Sequence, residues 1–366
     1  MKTSHFICII AICAIAISCE KEIKYVPIDP AIVSALNQLA DDFLNEKVID
    51  REKKDKEIEE LQLDWKGSDD SLEIIIDEKE DAFNKKWNDE LLRRLGEKPE
   101  YSAAKNVTSL LIDYDNKKSK ARIEWKNALL ARRKEVDPFN FHLFEVEWEG
   151  KFIKLIDENP ATLDYPGSLI EDLFYINTCT SPDGRLRFYS WDTGRGGTKV
   201  NLARFCQLRT ADGSVHVPMA QNELVDCHAD PSMLDYYEHP FIDIPWEWES
   251  LVDTIQVIDT GKWKYYLVKG SFNANSALFF SKLEAKYIAG EELFDFPLFD
   301  DGHGGFVEKL TTKYEENSFI YDEKSKTLTM DKYEYEEKEE CYSVGSFVYK
   351  GVVKFIFDGK VFRIKQ

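Results

Sequence analysis

The chain has 366 residues, a 13% aromatic content and a formal net charge of −20. This length allows two domains with their own hydrophobic cores, and the aromatic content argues against global disorder. The charge excludes binding to nucleic acid through counterion release, because the basic clusters are interleaved with Glu and Asp and form no long basic stripe. Interleaved charges of this kind are typical of solvated helix faces.

The amino-terminal residues have the pattern of an export signal. Lys2 supplies a positive end, and the apolar run from Phe6 to Ile17 is too short to span a bilayer as a helix. A small residue, Ser18, precedes Cys19. This pattern resembles the lipobox of bacterial lipoproteins, which implies cleavage before Cys19 and attachment of diacylglycerol to its thiol. An ordinary signal peptide cut nearby is the alternative.

The resemblance implies a signal peptide over residues 1–18 and a tether over residues 19–30. Cleavage would remove one positive charge, Lys2, and leave 47 basic against 68 acidic residues. Several acyl chains, palmitate among them, would hold the protein durably on a membrane. The rest of the chain also resembles uncharacterised envelope lipoproteins of Gram-negative bacteria. We therefore expect a lipid-anchored protein of the cell outer membrane, facing either the periplasm or the surface.

Residues 31–137 are predicted to form a helical region, either an antiparallel bundle or a long hairpin, because apolar residues recur there with helical spacing. The first stripe contains Ile32, Leu36, Leu39 and Phe43; the second Ile76, Phe83, Trp87, Leu91 and Leu95; the third Val107, Leu110, Tyr114, Ala121, Trp125 and Leu129. Gly96 is expected to close the second helix in a left-handed cap. Asp137-Pro138 is expected to stop the third.

Residues 138–366 are predicted to form a β-rich antiparallel domain, so the expected fold class is α+β. Alternation from Phe144 to Trp148, followed by Glu149-Gly150, predicts a hairpin that returns over residues 152–156. The clearest turn is Ser181-Pro182-Asp183-Gly184, between strands at 173–179 and 186–191. Further strands are expected near 198–208, 215–218, 255–258, 263–268, 277–287, 293–297, 318–321, 327–330, 352–357 and 361–364. A sandwich-like arrangement is favoured, with a small propeller or barrel as the alternative.

Possible metal ligands cluster in the irregular region from residue 221 to residue 250. Asp226, His228, Asp230 and His239 lie close together in sequence, beside Cys227. The cluster lacks the tight ligand pairs that are typical of zinc sites, so polar loop residues are the competing interpretation. The glycine-rich segment 191–198 is interpreted as a hairpin turn, because a phosphate-binding loop requires a following helix. The similar segment 300–305 is interpreted as an exposed loop, with metal binding as the alternative. The sequence therefore implies no cofactor.

Tryptophans are the candidate ligand-binding residues. Trp246 and Trp248 alternate with glutamates, so both indoles point to one face of a strand, and Trp191 precedes an aspartate. Exposed aromatic rings flanked by carboxylates often hold sugar rings, although alternating aromatics also form sheet cores. Four cysteines besides Cys19 are considered for pairing: Cys179, Cys206, Cys227 and Cys341. Their spacing does not decide between disulfides and free thiols.

The sequence contains no nucleophile motif, and carboxylates are too numerous to single out a catalytic pair. We therefore expect a membrane-anchored binding or structural module that contacts the lipid bilayer through acylated Cys19 and has a glycan or an envelope protein as partner. The alternative is a glycan-active or metal-dependent hydrolase on the envelope. A purely structural assembly component would instead expose an apolar stripe along residues 32–129.

Overall fold

The computed structural model describes residues 28–65, 69–131, 138–192, 202–218, 250–275, 278–313, 318–336 and 346–365. These residues form five α-helices followed by antiparallel-rich sheets, which confirms the α+β class. The helices are α1 Pro30–Asp64, α2 Asp69–Gly96, α3 Ser102–Ala131, α4 Pro138–Asp157 and α5 Gly167–Phe174. Short 3-10 turns occupy Pro99–Tyr101 and Pro160–Leu163.

The first three helices follow the predicted apolar stripes. Helix α1 begins where Asp29 accepts a hydrogen bond from the Ala31 amide at 2.7 Å and Pro30 takes the first helical position. Phe43 on α1 and Trp87 on α2 are buried, and their rings meet edge to face at 5.3 Å. This contact joins the two helices as the stripes predict.

The predicted helix ends are only partly found. Gly96 is the last residue of α2, but its φ is not positive, so the left-handed cap is wrong. The Glu97 amide instead donates to the Arg94 carbonyl at 3.2 Å and tightens the last turn. Pro138 opens helix α4, a position that proline tolerates because the first helical amides have no partner within the helix.

The hairpin predicted from residue 144 to residue 156 is wrong, because these residues lie in helix α4. Phe144, Trp148, Phe152 and Ile156 recur every four residues, and all four are buried. Burial of this stripe outweighs the local alternation of apolar and charged residues. Residues 173 and 174 are also helical, and the first strand begins at Asn177.

The described strands form three open sheets. They are β1 Asn177–Thr180, β2 Leu186–Asp192, β3 Leu202–Arg209, β4 Val215–His216, β5 Leu251–Asp259, β6 Lys264–Asn275, β7 Leu278–Ala289, β8 Glu292–Asp295, β9 Phe299–Asp300, β10 Phe306–Val307, β11 Lys309–Lys313, β12 Phe319–Asp322, β13 Thr327–Glu336, β14 Ser346–Phe357 and β15 Phe362–Ile364. Sheet 1 has the order β1-β2-β3-β4, sheet 2 the order β11-β7-β6-β5 with β8 paired to β7, and sheet 3 the order β10-β9-β15-β14-β13-β12.

The turn at residues 181–184 forms as predicted. The Gly184 amide donates to the Ser181 carbonyl at 2.9 Å, and Gly184 has a φ of 66°, which glycine adopts without strain. Strands β1 and β2 on either side pair antiparallel. The three short strands β9, β10 and β11 were not predicted, and within the described pairings β15 and β9 are parallel.

The hydrophobic cores join successive layers. One core contains apolar residues of all five helices and one face of sheet 1, including Tyr189 and Phe205, whose rings stack at 4.6 Å. A second core lies between sheets 1 and 2, and a third between sheets 2 and 3. A smaller fourth cluster contains residues of all three sheets: Leu202, Phe272, Phe280 and Tyr333. The architecture is therefore a stack of one helical layer and three sheets, sandwich-like in its β part. The division into domains at residue 138 stays a prediction.

Candidate functional site

A cleft of about 450 Å³ opens where the helical layer meets the edge of sheet 1. Helices α3 and α4, the end of α5 and the end of strand β2 provide its walls. Its lining combines apolar side chains, such as Phe152 and Leu173, with charged ones, such as Asp115 and Arg122. Concave sites with this combination are the usual places for small ligands.

Helix α3 provides the charged wall. Asp115, Lys118, Ser119 and Arg122 are spaced by three, one and three residues and therefore lie on one helical face. The neighbouring Tyr114 is buried and donates a hydrogen bond from its hydroxyl to the Trp148 carbonyl at 2.5 Å. This bond links α3 to α4 and fixes the position of the charged face.

Trp191 forms the aromatic wall at the end of β2. Its indole Nε1 donates to Glu149 Oε1 at 3.1 Å, and its ring meets Phe205 edge to face at 6.0 Å. Glu149 comes from α4 and its side chain is buried. Because the indole is held by a hydrogen bond and by packing, it presents a fixed surface to the cleft. Asp192, the next residue, is exposed on the rim.

Asp115 is a half-buried carboxyl group in the wall of the cleft. Burial raises its pKa above the usual value, the charge of Lys118 acts in the opposite direction, and the charge of Asp81 adds to the rise. Loss of hydration disfavours the charged form, which explains the sign. A carboxyl group with a raised pKa is able to donate as well as accept hydrogen bonds over part of the acidic pH range.

The end of α5 forms the remaining wall, with Phe174, Tyr175 and Ile176. Tyr175 caps the helix in the left-handed conformation, with φ 54° and ψ 34°, and its amide donates to the Glu171 carbonyl at 2.8 Å. The buried ammonium of Lys47 lies 2.6 Å from Asp172, which ties α5 to helix α1. This end of the cleft is therefore anchored to the helical layer.

A second, more open groove lies between α1 and α2. Its charges are matched within the groove: Lys86 lies 2.5 Å from Asp50, and Arg94 lies 2.5 Å from Glu46. Each of these cations therefore already has a carboxylate partner within the groove. The cleft beside Trp191 is therefore the better candidate.

The structure places one of the predicted site residues in the cleft, Trp191. The other predicted residues, Cys19, Trp246, Trp248, Asp226, His228, Asp230 and His239, lie outside the described residues. Within the described ranges no group of three or more His, Cys, Asp and Glu is arranged to hold a metal ion. The metal site remains a prediction for residues 226–239.

The glycine-rich segment at residues 300–305 is a loop, as interpreted. Asp301 Oδ1 accepts hydrogen bonds from the amides of His303 at 2.7 Å and Gly305 at 2.9 Å. Its carboxylate therefore closes the turn from within. Residues 193–198 of the other glycine-rich segment lie outside the described residues, whereas Trp191 and Asp192 end strand β2.

Two of the four cysteines are described, Cys179 and Cys206, and they do not form a disulfide with each other. Burial raises the pKa of Cys179 to about 11, and the charge of Asp253 contributes to the rise. Cys227 and Cys341 lie outside the described residues, so their pairing stays open.

Sequence reasoning missed most of the cleft. The interleaved charges from Asp115 to Arg122 fit the solvated helix faces that the sequence predicts in general, and Glu149 lies in helix α4, where a hairpin turn is predicted. One feature of the sequence could have drawn attention to these charges: Asp115 directly follows Tyr114, an aromatic residue on the predicted buried face of the same helix. Nothing in the local sequence connects these charges with Trp191, since the contact depends on the tertiary fold.

None of the helices in the described part of the chain is both long and apolar enough to cross a membrane. Comparison of the chain with protein-family models, with curated proteins and with solved structures found no match.

Proposed function

We propose that this protein is a lipoprotein of the bacterial cell envelope, attached to the outer membrane through acylated Cys19, and that its cleft binds a neutral glycan. The attachment rests on the amino-terminal pattern around Cys19. The binding function rests on the cleft at the junction of the helices and sheet 1. Binding, and not catalysis, is the favoured activity because the sequence contains no nucleophile motif.

The observation that carries the binding proposal is the Trp191–Glu149 pair. An indole with a fixed orientation offers an apolar surface to the C–H groups of a sugar ring, while carboxylates and cations on the same walls offer acceptors and donors to its hydroxyls. Trp191 and Glu149 line one cleft together with Asp115, Lys118 and Arg122. The cleft thus combines the apolar and polar contacts that a sugar requires.

The charges of the cleft favour a neutral ligand. Three carboxylates, Asp115, Glu149 and Asp192, face two cations, Lys118 and Arg122, so the charges of the lining nearly cancel. The whole chain carries a formal net charge of −20, which repels acidic polymers. Uronic acid chains and phosphorylated glycans are therefore disfavoured relative to uncharged oligosaccharides.

Calorimetry with oligosaccharides tests the binding proposal. We expect the protein to bind a β-linked glucose oligomer more tightly than a glucuronate oligomer, and Trp191→Ala to abolish the heat of binding. Trp263→Ala is the matched control. Trp263 directly precedes strand β6, is 49% exposed and does not line the cleft. Equal binding by wild type and Trp191→Ala, or no binding of any neutral oligomer by the folded protein, would contradict the proposal.

Mass spectrometry with membrane fractionation tests the attachment. We expect a diacylglyceryl mass on Cys19 and retention in the outer membrane fraction, both lost in Cys19→Ala. A soluble, unlipidated chain cut at another residue would exclude the lipoprotein assignment but leave the cleft's binding function untouched.

A second candidate function, glycan hydrolysis, is favoured by Asp115. A general acid needs a carboxyl group that stays protonated above its usual pKa, and burial raises the pKa of Asp115 in this direction. Glu149 and Asp192 are further carboxylates on the same walls. Chromatography of the β-linked glucose oligomer after incubation tests this function: hydrolysis that is lost in Asp115→Asn supports it, and an intact oligomer excludes it for this substrate.

A further inference from the structure

Tyr175 is a large aromatic side chain that the fold leaves in solvent. It is 79% exposed, although its neighbours Phe174 and Ile176 both pack with the core of the helical layer. A single exposed aromatic residue is ordinary in a protein surface. Tyr175 differs from an ordinary exposed aromatic residue because it lines the same cleft as Trp191.

The backbone of Tyr175 is in a conformation that tyrosine rarely adopts. Its φ of 54° belongs to the left-handed region, where a helix usually ends in glycine or asparagine. Among the described residues other than glycine, only Tyr175 and Lys326 have a positive φ. A bulky residue in this conformation is strained, and such strain is concentrated at functional sites.

The backbone of Tyr175 is fixed at the end of α5. Its amide donates a hydrogen bond to the Glu171 carbonyl at 2.8 Å. Strand β1 starts two residues later, where Asn177 pairs with Ser190 on β2. Because Trp191 directly follows Ser190, the chain brings the two aromatic residues to one end of the β1–β2 pair.

We propose that Tyr175 is the second ring-binding residue of the cleft, and that its left-handed backbone keeps the ring on the rim to contact the same sugar that contacts Trp191. This inference rests on the proposed binding function. It also narrows the ligand class. A sugar that contacts two aromatic residues needs apolar C–H groups on more than one side, as in β-linked glucose, whose hydroxyls are all equatorial. Galactose, with one axial hydroxyl, fits less well.

Glycine substitution separates a binding role from a structural one. Glycine adopts the left-handed conformation without strain, so Tyr175→Gly is expected to keep or raise the melting temperature while it weakens binding of the β-linked glucose oligomer by about tenfold or more, equal to ~1.4 kcal/mol. Lys326→Gly is the matched control: it relieves the same kind of strain at a turn between β12 and β13 and should leave affinity unchanged. Tyr175→Phe keeps the ring and should keep most of the affinity.

The outcomes distinguish this inference from the proposed function. If Trp191→Ala abolishes binding but Tyr175→Gly binds like wild type, the inference about Tyr175 is wrong and the binding function stands. If neither variant changes the affinity, the cleft is not the binding site. If Tyr175→Gly lowers the melting temperature and Tyr175→Asn, which also tolerates the left-handed region, does the same, Tyr175 has a structural role and the inference is wrong.

Discussion

Glu284 on β7 has a buried carboxylate that is 1% exposed and surrounded by three cations. Arg204 Nη1, from β3 in sheet 1, lies 2.5 Å from Oε2, and Lys282 Nζ lies 3.2 Å from Oε1. Lys286 Nζ is 3.9 Å from Oε1. The carboxylate therefore links sheet 1 to sheet 2 and is a counter-charge that these cations share; Lys286 also lies 2.6 Å from Asp295.

Replacement of Glu284 by glutamine removes this negative charge and keeps the size of the side chain. Burial by itself would raise the pKa of Glu284, but the charges of Arg204, Lys286 and Lys282 hold it well below its usual range, so the group is ionised in the folded protein. Removing one partner of a buried ion pair costs about 3–5 kcal/mol, because the remaining charges stay away from water. We expect Glu284→Gln to lower the free energy of unfolding by about that amount, a large part of the roughly 5–15 kcal/mol that stabilises a typical domain.

Urea unfolding at several pH values is the assay. The pKa of Glu284 is lower in the folded than in the unfolded state, where it is about 4.3, so its stabilisation is complete above that pH. It is lost as the pH falls through the folded pKa. The difference between wild type and Glu284→Gln should therefore be constant near neutral pH and should shrink in acid.

Asp113→Asn is the control for loss of a negative charge. Its carboxylate lies 2.6 Å from Lys117, but both side chains are largely exposed, so the substitution should leave the free energy of unfolding nearly unchanged. A Glu284→Gln variant that loses less than about 1 kcal/mol, or whose loss is independent of pH, would refute the reasoning. A small loss would mean that water or a rearranged side chain takes the place of the carboxylate beside the three cations.

Three further predictions concern stability and reactivity. Phe43→Ala removes a side chain that is 2% exposed and should lower the free energy of unfolding in urea by about 3–5 kcal/mol. A decrease of less than about 1 kcal/mol would show that the helices move together to fill the cavity. Gly270→Ala should lower the melting temperature, because the new Cβ would lie 2.5 Å from the Leu251 carbonyl and also against the Ser250 hydroxyl; an unchanged value in calorimetry would contradict this. Cys179, whose pKa burial raises to about 11, should react with iodoacetamide slowly in the folded protein and quickly in urea, and equal rates by peptide mass mapping would show that the thiol is accessible.

The sequence predicts well those elements whose apolar spacing is long and unambiguous. Helix α2 is an example, since Phe83, Trp87, Leu91 and Leu95 repeat every four residues and all are buried. Helix α4 shows the opposite case. Its five residues from Phe144 to Trp148 alternate like a strand, but the same Phe144 and Trp148 also fit a helical period that continues to Phe152. Only the longer window distinguishes the two patterns.

The cleft was not predictable from local sequence. Asp115 and Glu149 come together with Trp191 because α3, α4 and β2 pack around one core, and a contact over this sequence distance leaves no trace in the spacing of residues. Tyr175 is a similar case. Its left-handed backbone is visible only in the structure, since the sequence shows a tyrosine where glycine would mark a helix end.

The layered stack also has a consequence for how the chain is built. The three larger cores join layers that are close in sequence: helices with sheet 1, sheet 1 with sheet 2, and sheet 2 with sheet 3. A chain that emerges amino terminus first can therefore complete one layer against the previous one, without waiting for its last residues. Deletions from the carboxyl terminus should first remove sheet 3, which packs on sheet 2. Deletion of the helices should instead expose the aromatic face of sheet 1 around Tyr189 and Phe205 to solvent, and an apolar patch of this kind promotes aggregation.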